Sequence, residues 1–143
     1  LTSASGFQVS VDEPLTVNVK YTFAEDGVNG YSVKVVPNAL TGKDFDFTVD
    51  GIPYSYQAES DLTAGFEIEE HESSVVLKPK GTLNEVMAAV YPNSEIEDLT
   101  GKGYENMFLL VVDSYNGEST VTLAFSIVEG VSGIEIKPGN IYF

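Results

Sequence analysis

The sole histidine of the chain, His71, lies in the run FEIEEHE at 66–72. In an extended strand successive side chains point to opposite faces, so Glu67, Glu69 and His71 share one side. Two carboxylates beside an imidazole are ligands for a divalent metal. The same alternation also describes the polar face of an edge strand, where charge discourages pairing with another chain. A second acidic set, Asp44, Asp46 and Asp50, superficially suggests a calcium loop, but it lacks the D-x-D-x-D-G spacing and terminal Glu of an EF-hand. The interleaved Phe45, Phe47 and Val49 argue for a strand there. Calcium held jointly by acidic loops would draw also on Glu25-Asp26 and on Glu95 to Asp98. No cofactor is expected otherwise.

Nucleophilic chemistry is poorly provided for. A Ser–His–Asp arrangement would have to use His71, and no G-x-S-x-G elbow presents a serine. Paired carboxylates discriminate little in a chain with 22 acidic residues. No glycine loop of the phosphate-cradling kind occurs. The chain reads as a non-enzyme. Tyrosine is the remaining resource, because its ring is apolar at one end and wet at the other, which suits stacking on sugars. Tyr54, Tyr56, Tyr91, Tyr104 and Tyr115 lie near turns or strand ends and are the candidates for a glycan site, with ordinary sheet packing as the alternative for each.

These residues sit in a chain dominated by two-residue periodicity, which predicts half-buried strands of antiparallel sheets. Phe7, Val9 and Val11 alternate with polar residues. After Pro14, so do Leu15, Val17, Val19, Tyr21 and Phe23. Tyr31, Val33 and Val35 resume the pattern up to Pro37; Phe45, Phe47 and Val49 continue it. Tyr54 with Tyr56, Phe66 with Ile68, and Val75 with Leu77 mark further strands. One helix interrupts them: Thr82 and Glu85 form a T-x-x-E capping box, and Leu83, Val86, Met87 and Val90 fall on one helical face before Pro92 stops it. Such a short helix needs tertiary packing, so it is expected to cover a sandwich end or link two sheets.

The sharpest local signal is the hairpin over 107–130. Asn116-Gly117 is the preferred pair for a two-residue type I′ turn, since both positions need positive φ. That turn pairs Val112 with Val121, Leu110 with Leu123 and Phe108 with Phe125, all on one face, and a one-residue slip would destroy the agreement. The run from Met107 to Val112 is apolar on both faces, which predicts a strand central in its sheet. The tail reads as a short strand at Ile134 to Lys137 followed by a Pro-Gly-Asn turn.

The fold expected is an all-β, antiparallel Ig-like β-sandwich with one short capped helix. Residues 1–130 form the sandwich, as one domain or as two small Ig-like units. Residues 131–143 form a final strand or a linker to a following domain. At 143 residues and 43% apolar, with eight Phe and eight Tyr, the chain has ample material for a core. Seven lysines, no arginine and a net charge of −15 disfavour nucleic acid and anionic membranes as partners. No apolar run approaches the length of a membrane span, and no leader opens the chain, so any export signal was removed or lies elsewhere. The absence of cysteine excludes disulfides and weakly suggests bacteria for an exported module.

Residues 104–128 resemble the last two strands of bacterial Ig-like, cadherin-like and PKD-type modules. In those, a tyrosine-led apolar strand ends in Asp, a Gly-containing turn follows, and an alternating strand closes the domain. The matching residues are Tyr104, Leu110, Val112, Asp113, Asn116, Gly117, Val121, Leu123, Phe125 and Ile127. In overall character the chain also resembles extracellular or lipoprotein modules of gut Bacteroidetes. The resemblance implies a non-enzymatic spacer or interaction module of a bacterial surface or periplasmic multi-domain protein, its partners being other domains of the chain or a cell-surface partner. Two alternatives stand beside it: a carbohydrate-binding module, and an adhesin or fimbrial-type subunit that assembles by strand addition at an exposed edge.

Overall fold

The computed structural model describes residues 4–20, 30–38, 47–54, 60–100, 104–114, 119–128 and 139–142. Two four-stranded sheets face each other. The first has the order β1 (Ala4–Val9), β9 (Thr120–Ile127), β8 (Phe108–Ser114), β3 (Tyr31–Pro37). The second has the order β10 (Gly139–Tyr142), β2 (Leu15–Lys20), β7 (Ser74–Pro79), β6 (Phe66–Glu70). A two-stranded hairpin, β4 (Thr48–Val49) with β5 (Ile52–Pro53), and one helix, α1 (Leu83–Val90), close one end. Six strands, with β2, β7 and β6 in one sheet and β3, β8 and β9 in the other, carry the B-E-D and C-F-G order of the immunoglobulin arrangement. The helix is inserted between β7 and β8 without disturbing that order.

The alternation seen in the sequence is the cause of the layering. Leu15, Val17 and Val19 on β2 and Val75 and Leu77 on β7 turn inward. They meet Val35, Leu110, Val112, Val121, Leu123 and Phe125 of the other sheet in one hydrophobic cluster. The β8–β9 register is the expected one: Val112 opposite Val121, Leu110 opposite Leu123, Phe108 opposite Phe125. Both strands are interior to their sheet. The turn residues Asn116 and Gly117 lie outside the described residues. The Phe108 and Phe125 rings stack at 5.3 Å, and Phe66 from the opposite sheet meets both edge-on at 5.4 and 5.5 Å, joining the layers.

Three expectations need correction. The sandwich is not wholly antiparallel: β1 runs parallel to β9, and β10 parallel to β2. Each of these edge strands reaches its neighbour through a long excursion of the chain rather than a hairpin, which is what parallel pairing requires. Val11, expected to face inward with Phe7 and Val9, is 43% exposed, because β1 ends at Val9 and a tight turn follows, with reciprocal backbone bonds between Ser10 and Glu13. Gly139 and Asn140, expected in a turn, pair in β10 with Val17 and Asn18, and Ile141 enters the core at 1% exposure. The strand expected at 134–137 lies outside the described residues, as do Tyr21, Phe23 and Phe45.

The strand directions define two poles. Strands β1, β7 and β9 end at the pole that carries α1, where Ser10, Val11, Asp12, Gly81, Thr82, Thr100 and Val128 line one cavity of about 370 Å³. The opposite pole holds the β6–β7 hairpin and the start of β3, where the Tyr31 hydroxyl donates to the carbonyls of His71 and Ser74. Among the described residues, no helix is long and apolar enough to cross a membrane.

Candidate functional site

Among the described residues, Asp50, Tyr54, Asn84, Tyr91, Asp98 and Tyr104 gather at the helix pole. The local sequence explains the helix: the Thr82 hydroxyl accepts from the Glu85 amide at 3.4 Å, while the Glu85 carboxylate accepts from the Thr82 amide at 3.2 Å, satisfying the first-turn donors from both sides. Its inner face buries Leu83, Val86 and Met87. Its outer start offers Asn84, whose side chain organises the segment that returns past the helix. Asn84 donates through Nδ2 to Asp98 Oδ1 and Thr100 Oγ1, both at 2.8 Å, and accepts the Leu99 amide at 2.6 Å. Asp98 also accepts from the Thr100 amide at 2.9 Å and hydroxyl at 2.6 Å. These bonds, the Thr100 hydroxyl first, hold the Asp98 carboxyl below the usual carboxylate range.

The β4–β5 hairpin docks on the same segment. Asp50 and Gly51 both have positive φ, 53° and 78°, so the hairpin turns on a D-G pair of the type that favours two-residue loops. The Asp50 carboxylate accepts the Glu95 amide at 2.8 Å, and its own amide donates back to the Glu95 carbonyl at 3.1 Å. A hydrogen bond from the Ser94 side chain, then the one from the Glu95 backbone, lower its pKa. An isolated bridge between Val49 and Ile96 completes the contact.

Beneath this surface lies an aromatic group. Phe47 meets Tyr54 at 4.7 Å and Tyr104 at 5.4 Å between ring centroids. Tyr54 is fully buried and donates to the Met107 carbonyl at 3.1 Å. Burial, and secondarily Tyr91, push its phenol well above the ordinary tyrosine range. Tyr91 caps the helix C-terminus, its amide donating to the Met87 carbonyl at 2.9 Å. Its ring is half-buried against the core, with the hydroxyl oxygen shielded and unpartnered among the described residues. Its outer side borders a groove of about 380 Å³ shared with Asn84, Ala88, Pro92, Ile96, Glu97 and Asp98.

The structure thus brings three of the candidate tyrosines, Tyr54, Tyr91 and Tyr104, to one end of the molecule. It does so by packing them. Tyr54 offers no face to a ligand, Tyr104 is half-buried, and Tyr91 alone of the three borders a groove that is described. Tyr56 and Tyr115 lie outside the described residues. No family model, curated protein or solved structure matches this chain. The geometry alone bears on function.

Among the described residues the acidic candidates are not assembled. Asp44 and Asp46, like Glu25 and Asp26, lie outside the described residues; Asp50 is bonded to Glu95. On β6, Glu67 and Glu69 are exposed, and Glu69 approaches His71 Nε2 at 3.6 Å in a pair open to solvent. Among the described residues, no group of three or more carboxylate or imidazole side chains converges as a metal site. Asn84 and Asn106 are the organising polar residues that sequence reasoning missed. Asn106, at φ 54°, accepts the Gly6 amide at 2.8 Å through its side chain, and its carbonyl accepts from Asn38 at 2.8 Å. The D-x-T pattern at Asp98 and the D-G pair at Asp50 were available signals for local turns. Nothing local marks Asn84 or Asn106.

Proposed function

We propose that this chain is a non-enzymatic spacer and interaction module of an exported bacterial surface or periplasmic protein. The observation that carries this reading is the use made of its reactive side chains. Tyr54, Asp50, Asn84 and Asp98 each have their polar atoms engaged in bracing the helix pole, and their partners are backbone amides, carbonyls and neighbouring side chains of the same end. Groups held this way stabilise a framework; they are not poised toward a bound reactant. In the full-length protein, replacing residues 4–142 by a sandwich of unrelated sequence and the same terminal geometry should preserve activity. Loss of activity on replacement would count against the spacer role and point to a specific surface.

A second reading, carbohydrate recognition, is favoured by the groove beside Tyr91. A half-exposed aromatic ring flanked by the Glu97 carboxylate offers one stacking surface and a hydroxyl-binding group in a cavity of about 380 Å³. Glycan-array binding that disappears in Tyr91→Ala, with the thermal transition retained, would establish it. A blank array with the native chain would remove it.

Strand addition finds less support at the edges formed by β3, β6 and β1. The outer side of β3 is closed at Val35 by the Leu62 amide at 2.7 Å and the Thr63 hydroxyl at 3.1 Å. The outer strand β6 exposes Glu67 and Glu69, and β1 has a register irregularity between Ala4 and Phe7 with Gly6 at φ 88°. Charge and bulges are the ordinary protections of sheet edges.

A further inference from the structure

Strand direction fixes where the first and last described strands meet the surface. β1 runs toward the helix pole beside β9, with Ala4 opposite Leu123 and Val9 opposite Ile127. The Ser10–Glu13 turn then reverses the chain, so β2 leaves that pole, with Leu15 opposite Leu77 near the end of β7. β10, parallel to β2, leaves it too and brings Tyr142 opposite Lys20. Ala4 and Tyr142 therefore stand at one pole, the one away from the helix. A sandwich closed by β9 would instead release the chain at Val128, at the helix pole and opposite its point of entry. β10 turns a module traversed from end to end into one entered and left from the same end.

The two strand ends are also neighbours. β1 meets β2 across the sandwich, and β10 lies beside β2 in its sheet. Facing sheets about 10 Å apart and paired strands about 5 Å apart put the Ala4 and Tyr142 backbones about 10–15 Å from each other. The helix pole, by contrast, carries the elaboration of the fold. β3 ends there, with Pro37 opposite Phe108, and β6 begins there, with Phe66 opposite Pro79 at the end of β7. Between those strands the chain builds the β4–β5 hairpin and the 3-10 turn Thr63–Gly65; between β7 and β8 it builds α1 and the groove beside Tyr91. At the pole of Ala4 and Tyr142, β6 passes into β7 through residues 71–73 alone.

We infer that the module is a side branch: adjoining chain attaches at the Ala4–Tyr142 pole, and the helix pole, with the groove beside Tyr91, is the tip presented outward. Neighbouring segments are then set about 10–15 Å apart, the width of one pole, and not a sandwich length apart. A partner approaching the tip meets the helix, the β4–β5 hairpin and the 94–98 segment without displacing the chain on either side. This placement deepens the interaction role proposed above and limits the spacing role to that width. It follows from strand register and holds with or without a glycan at the groove.

Two measurements test it. The chain has no cysteine, and Ala4, Ala89 and Tyr142 are exposed, so paired nitroxide labels can be placed without ambiguity. The length of β1 plus the thickness of the helix layer puts Ala4 and Ala89 about 25–30 Å apart. The dipolar distance in Ala4→Cys/Tyr142→Cys should therefore be about half that in Ala4→Cys/Ala89→Cys. In the second measurement the whole chain is grafted, through two-residue linkers, into an exposed turn of a monomeric reporter enzyme. Ends this close leave the turn closed, so reporter activity should stay within about twofold of the ungrafted enzyme. A reporter inactivated by the graft, or an Ala4–Tyr142 distance equal to or longer than the Ala4–Ala89 distance, overturns the inference.

Discussion

Tyr54 illustrates how the environment decides what a side chain does. Its hydroxyl shares the Met107 carbonyl with the Asn38 amide, which lies at 3.0 Å. Because that carbonyl keeps a donor, Tyr54→Phe should lose only the net value of one hydrogen bond, about 0.5–1.5 kcal/mol in urea unfolding. The pH dependence carries more information. Burial raises the folded-state pKa of Tyr54 above its unfolded value, so the neutral phenol contributes stability that is complete below about pH 10 and lost as pH rises through the folded value. Native protein should steepen in alkaline destabilisation where Tyr54→Phe does not. Asp98 acts in the opposite range. Its pKa is lowered, so its contribution is present above the ordinary carboxylate value of about 4 and disappears as pH falls through the lowered one. Asp98→Asn should lower the melting temperature at neutral and alkaline pH and flatten its fall on the acid side, so that the two curves converge as pH drops. A parallel displacement of both limbs would contradict the assignment.

At the level of elements, α1 packs closely on the 3-10 turn Thr63–Gly65. A Cβ on Gly65 would lie 2.6 Å from a Val86 methyl and 2.9 Å from the Val86 carbonyl oxygen. The methyl can turn away; the backbone oxygen cannot without moving the helix. Gly65→Ala should therefore cost about 1–3 kcal/mol, as overpacked cores do. A cost near zero in denaturant titration would mean the helix shifts freely on the sheet. The helix itself was legible because its signals are local: a cap three residues from its partner and an apolar stripe at helical spacing. Its docking partner was not, since Gly65 carries no mark of proximity to Val86. The β8–β9 hairpin was legible for the same reason, turn chemistry and apolar register agreeing within one stretch of chain.

The whole molecule carries a net charge of −15. Like charges repel in the compact state, and that repulsion is screened within about 10 Å at 0.1 M salt. The melting temperature should rise with NaCl. At matched ionic strength CaCl₂ should produce the same rise, because the described acidic side chains are dispersed rather than converged. A larger response to CaCl₂, reversed by chelator, would reveal a calcium site. Among the described residues the candidate glycan surface reduces to one place, the groove beside Tyr91, since Tyr54 is interior and Tyr104 half-buried.

The amino-acid order alone determined which faces of the strands are apolar, where the helix begins, and how β8 registers with β9. Each depends on residues a few positions apart. Only the tertiary structure decided that β1 and β10 pair in parallel, that Val11 is left outside, and that Tyr54 is enclosed. Those outcomes depend on contacts such as Gly6 with Asn106, separated by 100 positions, and no local preference encodes which distant segment will arrive.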